Sequence, residues 1–369
     1  MLDLKAQYVG LASEIEAAVK GVLESQQLIL GPEVKELERE CAAYCECEFA
    51  IGCASGSDAI LLPLMALGVG PGDEVVTTPF TFFATVGSIV RLGAKPVFID
   101  IEPDTFNMNV SQLESVLNRR TKAIIPVHLF GQCVEMDVVS EVAERAGIAV
   151  IEDAAQSIGA EYKGRRAGSL GDIGAFSFYP SKNLGGAGDG GMMTTNRADL
   201  ADDLRALRSH GAKRKYYHDR VGINSRLDSL QAAILRVKFK YLDEWAEARR
   251  ANASRYEQMF TEQGLVEGGA VVLPITGEGQ RHVYNQYVIR VQKRDELRAC
   301  LTDCGIGTEI YYPVAMHQQV CFEGLGYAEG SFVEAERAVR EVLAIPIYPE
   351  LIPADQEYIV ESISRFYRG

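Results

Sequence analysis

From residue 49 to 195 the chain alternates short apolar runs with segments in which apolar residues recur at i, i+3 and i+4. The runs FAIGCA, EVVTTP, KPVFIDI, KAIIPVHLFG, IAVIEDAA, IGAFSF and GGMMTTN have the length and character of buried strands. Between them SDAILLPLMALG, TFFATVGSIVRLG, SQLESVLNR and MDVVSEVAERAG carry the helical period, and several end on glycine. Strand and helix in alternation predict an α/β fold, a doubly wound and mostly parallel sheet. Such a sheet gathers ligands beyond the carboxyl ends of its strands, so chemistry is to be sought just after each apolar run.

Residues 228–263 read as one long helix, or two in series, with an apolar stripe and a charged outer face. The pattern stops at Gly264 and is followed by the turn-rich GGAVVLPITGEG. Beyond it, VYNQYVIRV and EIYYPV read as strands, and DELRACLTDCG and SFVEAERAVREVLA as helices. These predict a smaller C-terminal α+β domain, with the boundary inside the long helical segment: 1–240 for the large domain and 241–369 for the small one. A length of 369 residues agrees with two units, at roughly 150 residues per domain.

A hydrophobic fraction of 47% with 24% charged residues excludes disorder and small disulfide scaffolds. Asp+Glu outnumber Lys+Arg by 51 to 37, a formal charge of -14 that repels polyanions, so neither nucleic acid nor an anionic membrane is an expected partner. The N-terminal MLDLKAQYVGLASEIEAAVK interleaves acids and lysines with its apolar positions, unlike a signal peptide. No run approaches the ~18 apolar residues of a spanning helix, so a cytoplasmic protein is expected. The eight cysteines form no C-x-x-C pair and no zinc spacing. They read as reduced, packed thiols with no metal site; the alternative is a soft metal on Cys41 and Cys45, which share a helix face.

In SFYPSKN, residues 177–183, Lys182 follows an apolar strand and precedes the flexible LGGAGDGG. A lysine held rigidly and partly desolvated at a strand end suits Schiff-base chemistry; the plain alternative is a surface-loop lysine. GGAGDGG is no Walker loop, since no Gly-Lys-Ser/Thr follows. Asp153, after AVIE, needs a cationic partner to stay ionised where it is buried, and a protonated pyridine nitrogen would be one. Gly56, Ser57 and Asp58 open a helix, where free N–H groups and the helix dipole favour a phosphate. Phe82, after the next strand, could stack on a planar heterocycle in the same crevice. Helix capping for Asp153 and the SGSD turn, and core packing for Phe82, are the competing readings.

Together these segments resemble the fold-type-I, pyridoxal-phosphate-dependent enzymes, and specifically the DegT-type nucleotide-sugar aminotransferases. The resemblance runs from LDLKAQY through SGSDAI, GPGDEVVTTPFTFFAT, IEDAAQSIGAEYKG and SFYPSKNLGG to GINSRLDSLQAAIL. It implies that Lys182 forms the Schiff base with pyridoxal 5'-phosphate and moves the proton. It further implies that Asp153 pairs with the ring nitrogen, Gln156 lies near the phenolic oxygen, Gly56, Ser57 and Ser177 bind phosphate, and Phe82 stacks. Asn224 matches a residue that reaches the neighbouring subunit's cofactor, which implies a homodimer with shared active sites. Ser57 stands where the family commonly has threonine, and GDGG where many members read GEGG. A dehydrating branch carries histidine at the lysine position, so Lys182 argues against that branch.

The same resemblance implies ping-pong transfer from L-glutamate, released as 2-oxoglutarate, through pyridoxamine 5'-phosphate to a nucleotide-linked keto-sugar. The nearest likeness is to enzymes that aminate C-3 of a UDP-2-acetamido-3-keto sugar, often a uronic acid, for O-antigen assembly. Lys213, Arg214, Lys215 and Arg220 concentrate positive charge that a sugar-nucleotide diphosphate needs, or form a solvated basic loop. Arg226 is placed to pair with a substrate carboxylate, or with Asp228. Tyr179, Tyr311, Tyr312 and His317 are candidates for the sugar site, with a satisfied histidine as the alternative for His317. His128 points toward the crevice or is structural. Competing functions are amination at C-3 or C-4 of another UDP-, dTDP- or GDP-linked sugar, a pyridoxal-phosphate lyase or dehydratase, and a non-catalytic regulatory protein of the same fold.

Overall fold

Each of the seven apolar runs forms a strand in the computed structural model, which describes residues 2–369. The strands are β1 (Phe49–Cys53), β2 (Glu74–Thr77), β3 (Lys95–Phe98), β4 (Thr121–Ile124), β5 (Ala149–Asp153), β6 (Ile173–Ser177) and β7 (Gly191–Thr195). They make one sheet in the order β1-β7-β6-β5-β4-β2-β3. The pairs β2–β3, β2–β4, β4–β5 and β5–β6 are parallel, and only β7 runs against its neighbours β6 and β1. The α/β fold with a mostly parallel sheet is the one the alternation predicts.

The apolar runs are nearly continuous because both faces of the sheet are covered. Successive side chains on a strand point to opposite faces. Val76, Ile124, Val150, Phe176 and Met192 accordingly feed one core, against α2 (Pro32–Tyr44), which follows the N-terminal α1 (Leu4–Ser25). Val75, Ala123, Ile125, Ile151, Ala175 and Met193 feed another, against α3 (Gly56–Ala66) and α4 (Phe83–Arg91). The SQLESVLNR segment supplies only a single α turn, Leu113–Val116.

The long helical segment is two helices, α5 (Ser229–Phe239) and α6 (Leu242–Glu262), broken at residues 240–241. Beyond α6 a second, antiparallel sheet pairs Val271–Val272 with Tyr287–Val291, and the latter with Val342–Ile345. Its core holds Tyr256, Phe260 and Ile289 and continues into Phe80, Val127 and Phe130 beside the large sheet.

EIYYPV is not a strand: Glu309 makes a single bridge to Ala344, and Pro313 has no N–H to extend a ladder. SFVEAERAVREVLA is helical only over Val333–Glu341, and Val342, Leu343 and Ala344 turn into the buried strand. The helical period there overran into residues that pair with Ile289 and its neighbours. Among the described residues all eight cysteines are free thiols, and no helix is long and apolar enough to cross a membrane.

Candidate active site

Asp153 is the last residue of β5, and the strand directs its neighbour Glu152 to the opposite face. Glu152 is fully buried and accepts the N–H groups of Gly168, Leu170 and Gly171 at 2.7, 2.8 and 2.7 Å. His128 Nε2 lies 3.0 Å from the same carboxylate, and His128 Nδ1 accepts the Val134 N–H at 3.2 Å. Nδ1 is therefore the unprotonated nitrogen and Nε2–H the donor. The structural reading of His128 is the one its contacts support.

Asp153 is 5% exposed. Thr85 donates to its Oδ2 at 2.7 Å, and the Ala155 N–H to its Oδ1 at 3.3 Å. Burial pushes this carboxyl upward, opposed by those two hydrogen bonds and by the charge of Lys182. A carboxylate in this position gains from a further cationic partner.

Lys182 is half-buried in the loop between β6 and β7. That loop is tied down throughout: the Lys182 N–H bonds Tyr179 O at 2.9 Å and the Gly186 N–H bonds Phe178 O at 2.8 Å. Lys238 donates to Gly185 O at 2.7 Å. The next residue, Asn183, donates to Val283 O at 3.0 Å and accepts from Asn285 at 2.8 Å. Desolvation pushes the Lys182 amine from 10.5 down to about 8, against the pull of Asp153. At pH 7.5 about a quarter of such an amine is neutral, against roughly one part in a thousand for an ordinary lysine.

The turn into α3 is capped by Ser55, whose hydroxyl accepts the Asp58 N–H at 3.1 Å. A Cβ on Gly56 would lie 2.5 Å from the Ser177 Cβ, so only glycine lets this helix start approach the end of β6 so closely. The N–H groups of Gly56 and Ser57 belong to the first turn, which lacks intrahelical partners. Ser57 is exposed, and Ser177 Oγ accepts the Tyr179 N–H at 3.2 Å. Asp58 is different: its N–H is taken by Ser55 and its carboxylate accepts the Ser225 hydroxyl at 2.7 Å. It serves the construction of the turn. Ser225 is fully buried and also accepts the Ala54 N–H at 3.1 Å, which pins the loop bearing Asn224 and Arg226 to the start of α3.

Phe82, a residue 57% exposed, stands at the N-cap of α4 with its ring 6.1 Å from that of Tyr312. Tyr312 accepts from Gln156 Nε2 at 3.1 Å, and Gln156 Oε1 accepts the Phe130 N–H at 2.7 Å. Burial raises the Tyr312 phenol, with the Asp153 charge adding to it, so the hydroxyl stays protonated. Phe82, Tyr312, Gln156 and Asp153 are thus linked around one strand-end region, to which the Lys182 charge also couples.

The remaining candidates are placed more variously. Tyr179 is exposed, Tyr311 half-buried and Asn224 exposed. Arg226 is half-buried, and among the described residues no carboxylate lies within the 4.0 Å of an ion pair to it. Asp228 instead caps α5, accepting the Gln231 N–H at 2.8 Å. Lys213 and Arg214 lie on a small exposed hairpin, Ala212–Arg214 with Tyr217–His218. Lys213 and Arg220 face Asp203 at 3.9 and 3.0 Å, while the Arg214 guanidinium covers the Tyr217 ring at 3.7 Å. His317 is buried, with Nε2 2.9 Å from Glu336 and its ring edge-on to Phe332, so its contacts are those of a core histidine. Sequence reasoning missed Thr85 and Ser225. The i, i+4 spacing of Thr81 and Thr85 on either side of Phe82 was the available signal for the first; nothing distinguished the second.

A half-buried amine of depressed basicity, a buried carboxylate awaiting a cation, an exposed ring and a glycine-tight helix start fit pyridoxal phosphate. Comparison with known proteins gives the same answer. The DegT/DnrJ/EryC1/StrS aminotransferase family matches over residues 10–364. The chain is 52% identical over 368 residues to the pleiotropic regulatory protein of Geobacillus stearothermophilus, covering 100% of this chain and 98% of that one. It is 43% identical to the dTDP-3-amino-3,4,6-trideoxy-alpha-D-glucose transaminase of Streptomyces venezuelae, covering 95% and 91%. It is 40% identical to the UDP-2-acetamido-2-deoxy-3-oxo-D-glucuronate aminotransferase of Pseudomonas aeruginosa, covering 98% and 99%. Among solved structures, S. venezuelae DesV superposes with a TM-score of 0.95 at 41% identity, covering 100% of this chain and 98% of that one. NtdA of Bacillus subtilis, with bound cofactor PMP, superposes at 0.90 and 32% identity, covering 97% and 82%. The chain belongs to the DegT/DnrJ/EryC1/StrS aminotransferase family, whose members are pyridoxal-phosphate-dependent sugar transaminases.

Proposed function

We propose that this transaminase takes its amino group from L-glutamate, releases 2-oxoglutarate, and delivers the nitrogen to C-3 of a nucleotide-linked keto-sugar. The acceptor is a UDP-2-acetamido-2-deoxy-3-keto-glucuronic acid or a related sugar destined for surface polysaccharide such as O-antigen. The observation that carries the chemistry is the presence together of the Lys182 amine, pushed down to about 8 in the loop that follows β6, and the buried Asp153 at the end of the adjoining β5. The preference for C-3 is supported by the names of the S. venezuelae and P. aeruginosa relatives, which both describe nitrogen or a keto group at that carbon.

When bound, the cofactor supplies an electron sink for the carbon that loses its proton. This chain's residues do the rest. Lys182 Nζ would take the proton from the Cα of the donor and pass it to C4′ of the cofactor, work for which a pKa near ambient pH is suited. Asp153 holds positive charge on the ring nitrogen. Phe82 stacks on the ring, Gln156 faces its phenolic oxygen, and the N–H groups of Gly56 and Ser57 with the Ser177 hydroxyl take the phosphate. Asn224 reaches the site of a second copy, so the working unit is a homodimer. Arg226, without an ion-pair partner among the described residues, receives the carboxylate of glutamate or of a uronic acid. Arg214 and Lys213 face the diphosphate, and Tyr179, Tyr311 and Tyr312 line the sugar; His317 supports that segment from beneath.

The test is to supply the cofactor-loaded protein with L-glutamate and no sugar, and then with UDP-linked and dTDP-linked 3-keto sugars in parallel. One equivalent of 2-oxoglutarate per active site in the first step, and an amino-sugar nucleotide in the second, are expected. A second reading rests on the 52% identical relative named as a regulatory protein. Release of no 2-oxoglutarate from protein that holds its cofactor would favour that reading over transamination.

A further inference from the structure

The Asp153 carboxylate is oriented by a residue that the transamination scheme leaves without a role. Thr85 is fully buried in the first turn of α4 and donates to Asp153 Oδ2 at 2.7 Å, the short distance of a hydrogen bond to an anion. A hydroxyl has a single proton. With Asp153 ionised that proton is committed to the carboxylate, so the 2.9 Å contact between the Thr81 and Thr85 oxygens runs from Thr81 to Thr85. Thr81 is buried as well, so the two hydroxyls form a dry relay ending on Asp153. On its other oxygen Asp153 receives, among the described residues, the Ala155 N–H alone, at 3.3 Å. Phe82 stands three residues before Thr85 at the same helix end, so α4 fixes both a ring face and the carboxylate orientation. The charged or titratable groups that act on Asp153 from other elements are Lys182, His128 and Tyr312, and none of them makes a hydrogen bond to its carboxylate.

We propose that Thr85, backed by Thr81, is a positioning residue: its O–H holds Asp153 as the anion and turns the remaining lone pairs toward the ring nitrogen of the cofactor. The proposal rests on the role given above to Asp153. It predicts a selectivity that packing alone would not produce. An ionised Asp153 favours a ring carrying N–H over one carrying C–H, so cofactor-free protein should prefer pyridoxal 5'-phosphate to its 1-deaza analogue.

Thr85→Val keeps the shape and deletes the O–H, while Thr85→Ser keeps the O–H. Affinities of the cofactor-free protein for the two compounds, read by quenching of protein fluorescence, give the preference directly. Thr85→Val is expected to reduce that preference by roughly tenfold or more, the scale of a lost hydrogen bond to a charged group. Thr85→Ser should retain it, and Thr81→Val should lower it by about threefold, as a weakened donor to the same oxygen. In turnover, Thr85→Val should lower kcat with KM for the sugar unchanged. Asp153→Asn is the control. If it loses the preference while Thr85→Val and Thr81→Val keep it, Thr85 has no such role. If Asp153→Asn keeps the preference too, the assignment of Asp153 to the ring nitrogen itself falls.

Discussion

Replacing Lys182 by methionine should stabilise the cofactor-free protein while destroying its activity. The amine falls from 10.5 to about 8 because the folded chain strips water from it faster than Asp153 compensates. That difference corresponds to about 3 kcal/mol of stability withheld from the charged form at pH 7. The sign follows from proton counting: between pH 8 and 10.5 the unfolded chain binds more protons at this lysine, so wild-type stability rises with pH across that window. The cost is fully present below pH 8 and has shrunk to under about 1 kcal/mol at pH 10. For a chain of 369 residues, about 3 kcal/mol displaces the thermal midpoint by about 4 °C. Circular dichroism melts of cofactor-stripped wild type and Lys182→Met at pH 7 and pH 10 measure it. A higher midpoint for the variant at pH 7 that closes at pH 10 is expected; an equal gap at both pH values would show that packing, and not desolvation of the amine, sets the difference.

Other outcomes follow from the same geometry. Asp153→Asn should still bind cofactor but turn over at least a hundredfold more slowly, measured by 2-oxoglutarate release, since the ring nitrogen loses its charge partner. Gly56→Ala drives a Cβ to 2.5 Å from Ser177; it should cost about 1–3 kcal/mol in stability and weaken cofactor affinity, read by equilibrium dialysis. Mixing inactive Lys182→Ala with inactive Asn224→Ala should restore partial activity if Asn224 serves the neighbouring site, because mixed dimers hold one intact site; a mixture with no recovered activity would place Asn224 outside it. Glu336 is held below the usual carboxylate range: burial opposes its charge, but the Gly330 N–H and His317 outweigh that penalty. Its stabilisation is present above about pH 4.5 and is lost as pH falls through the lowered value, so Glu336→Gln should flatten the acid limb of the stability profile, checked by urea melts between pH 3 and 6.

How much of this was legible depended on how local the governing physics is. The seven strands of the large sheet were readable because strands buried on both faces are continuous apolar runs, and Val75 beside Val76 serve two cores without breaking the run. The strand Val342–Ile345 was hidden because a helix ends one residue before it with no glycine or proline between them. Lys182, Gly56 and Phe82 stood out because each occupies a strand end or a turn with a recognisable neighbour. Thr85 and Ser225 did not, since their significance lies in contacts 68 and 167 residues away. The environment of His317 likewise depends on Glu336, which belongs to another helix.

The reversed strand β7 has a mechanical consequence for the nucleophile. A parallel crossover would carry the chain from the end of β6 to the far edge of the sheet, leaving the lysine segment fastened at one end only. Because β7 is antiparallel, the segment leaves and re-enters at the same edge, with Ser177 paired to Gly191 and the Phe178 N–H bonded to Gly190 O at 2.8 Å. Gly191 in turn sits so close under Ser55 that a Cβ there would come within 2.4 Å of its carbonyl oxygen. Lys182 therefore rides on a closed ring of chain whose clasp is also the floor of the phosphate turn. Any strain that lifts one must tilt the other, so the amine and the anion site keep their spacing as a single rigid piece.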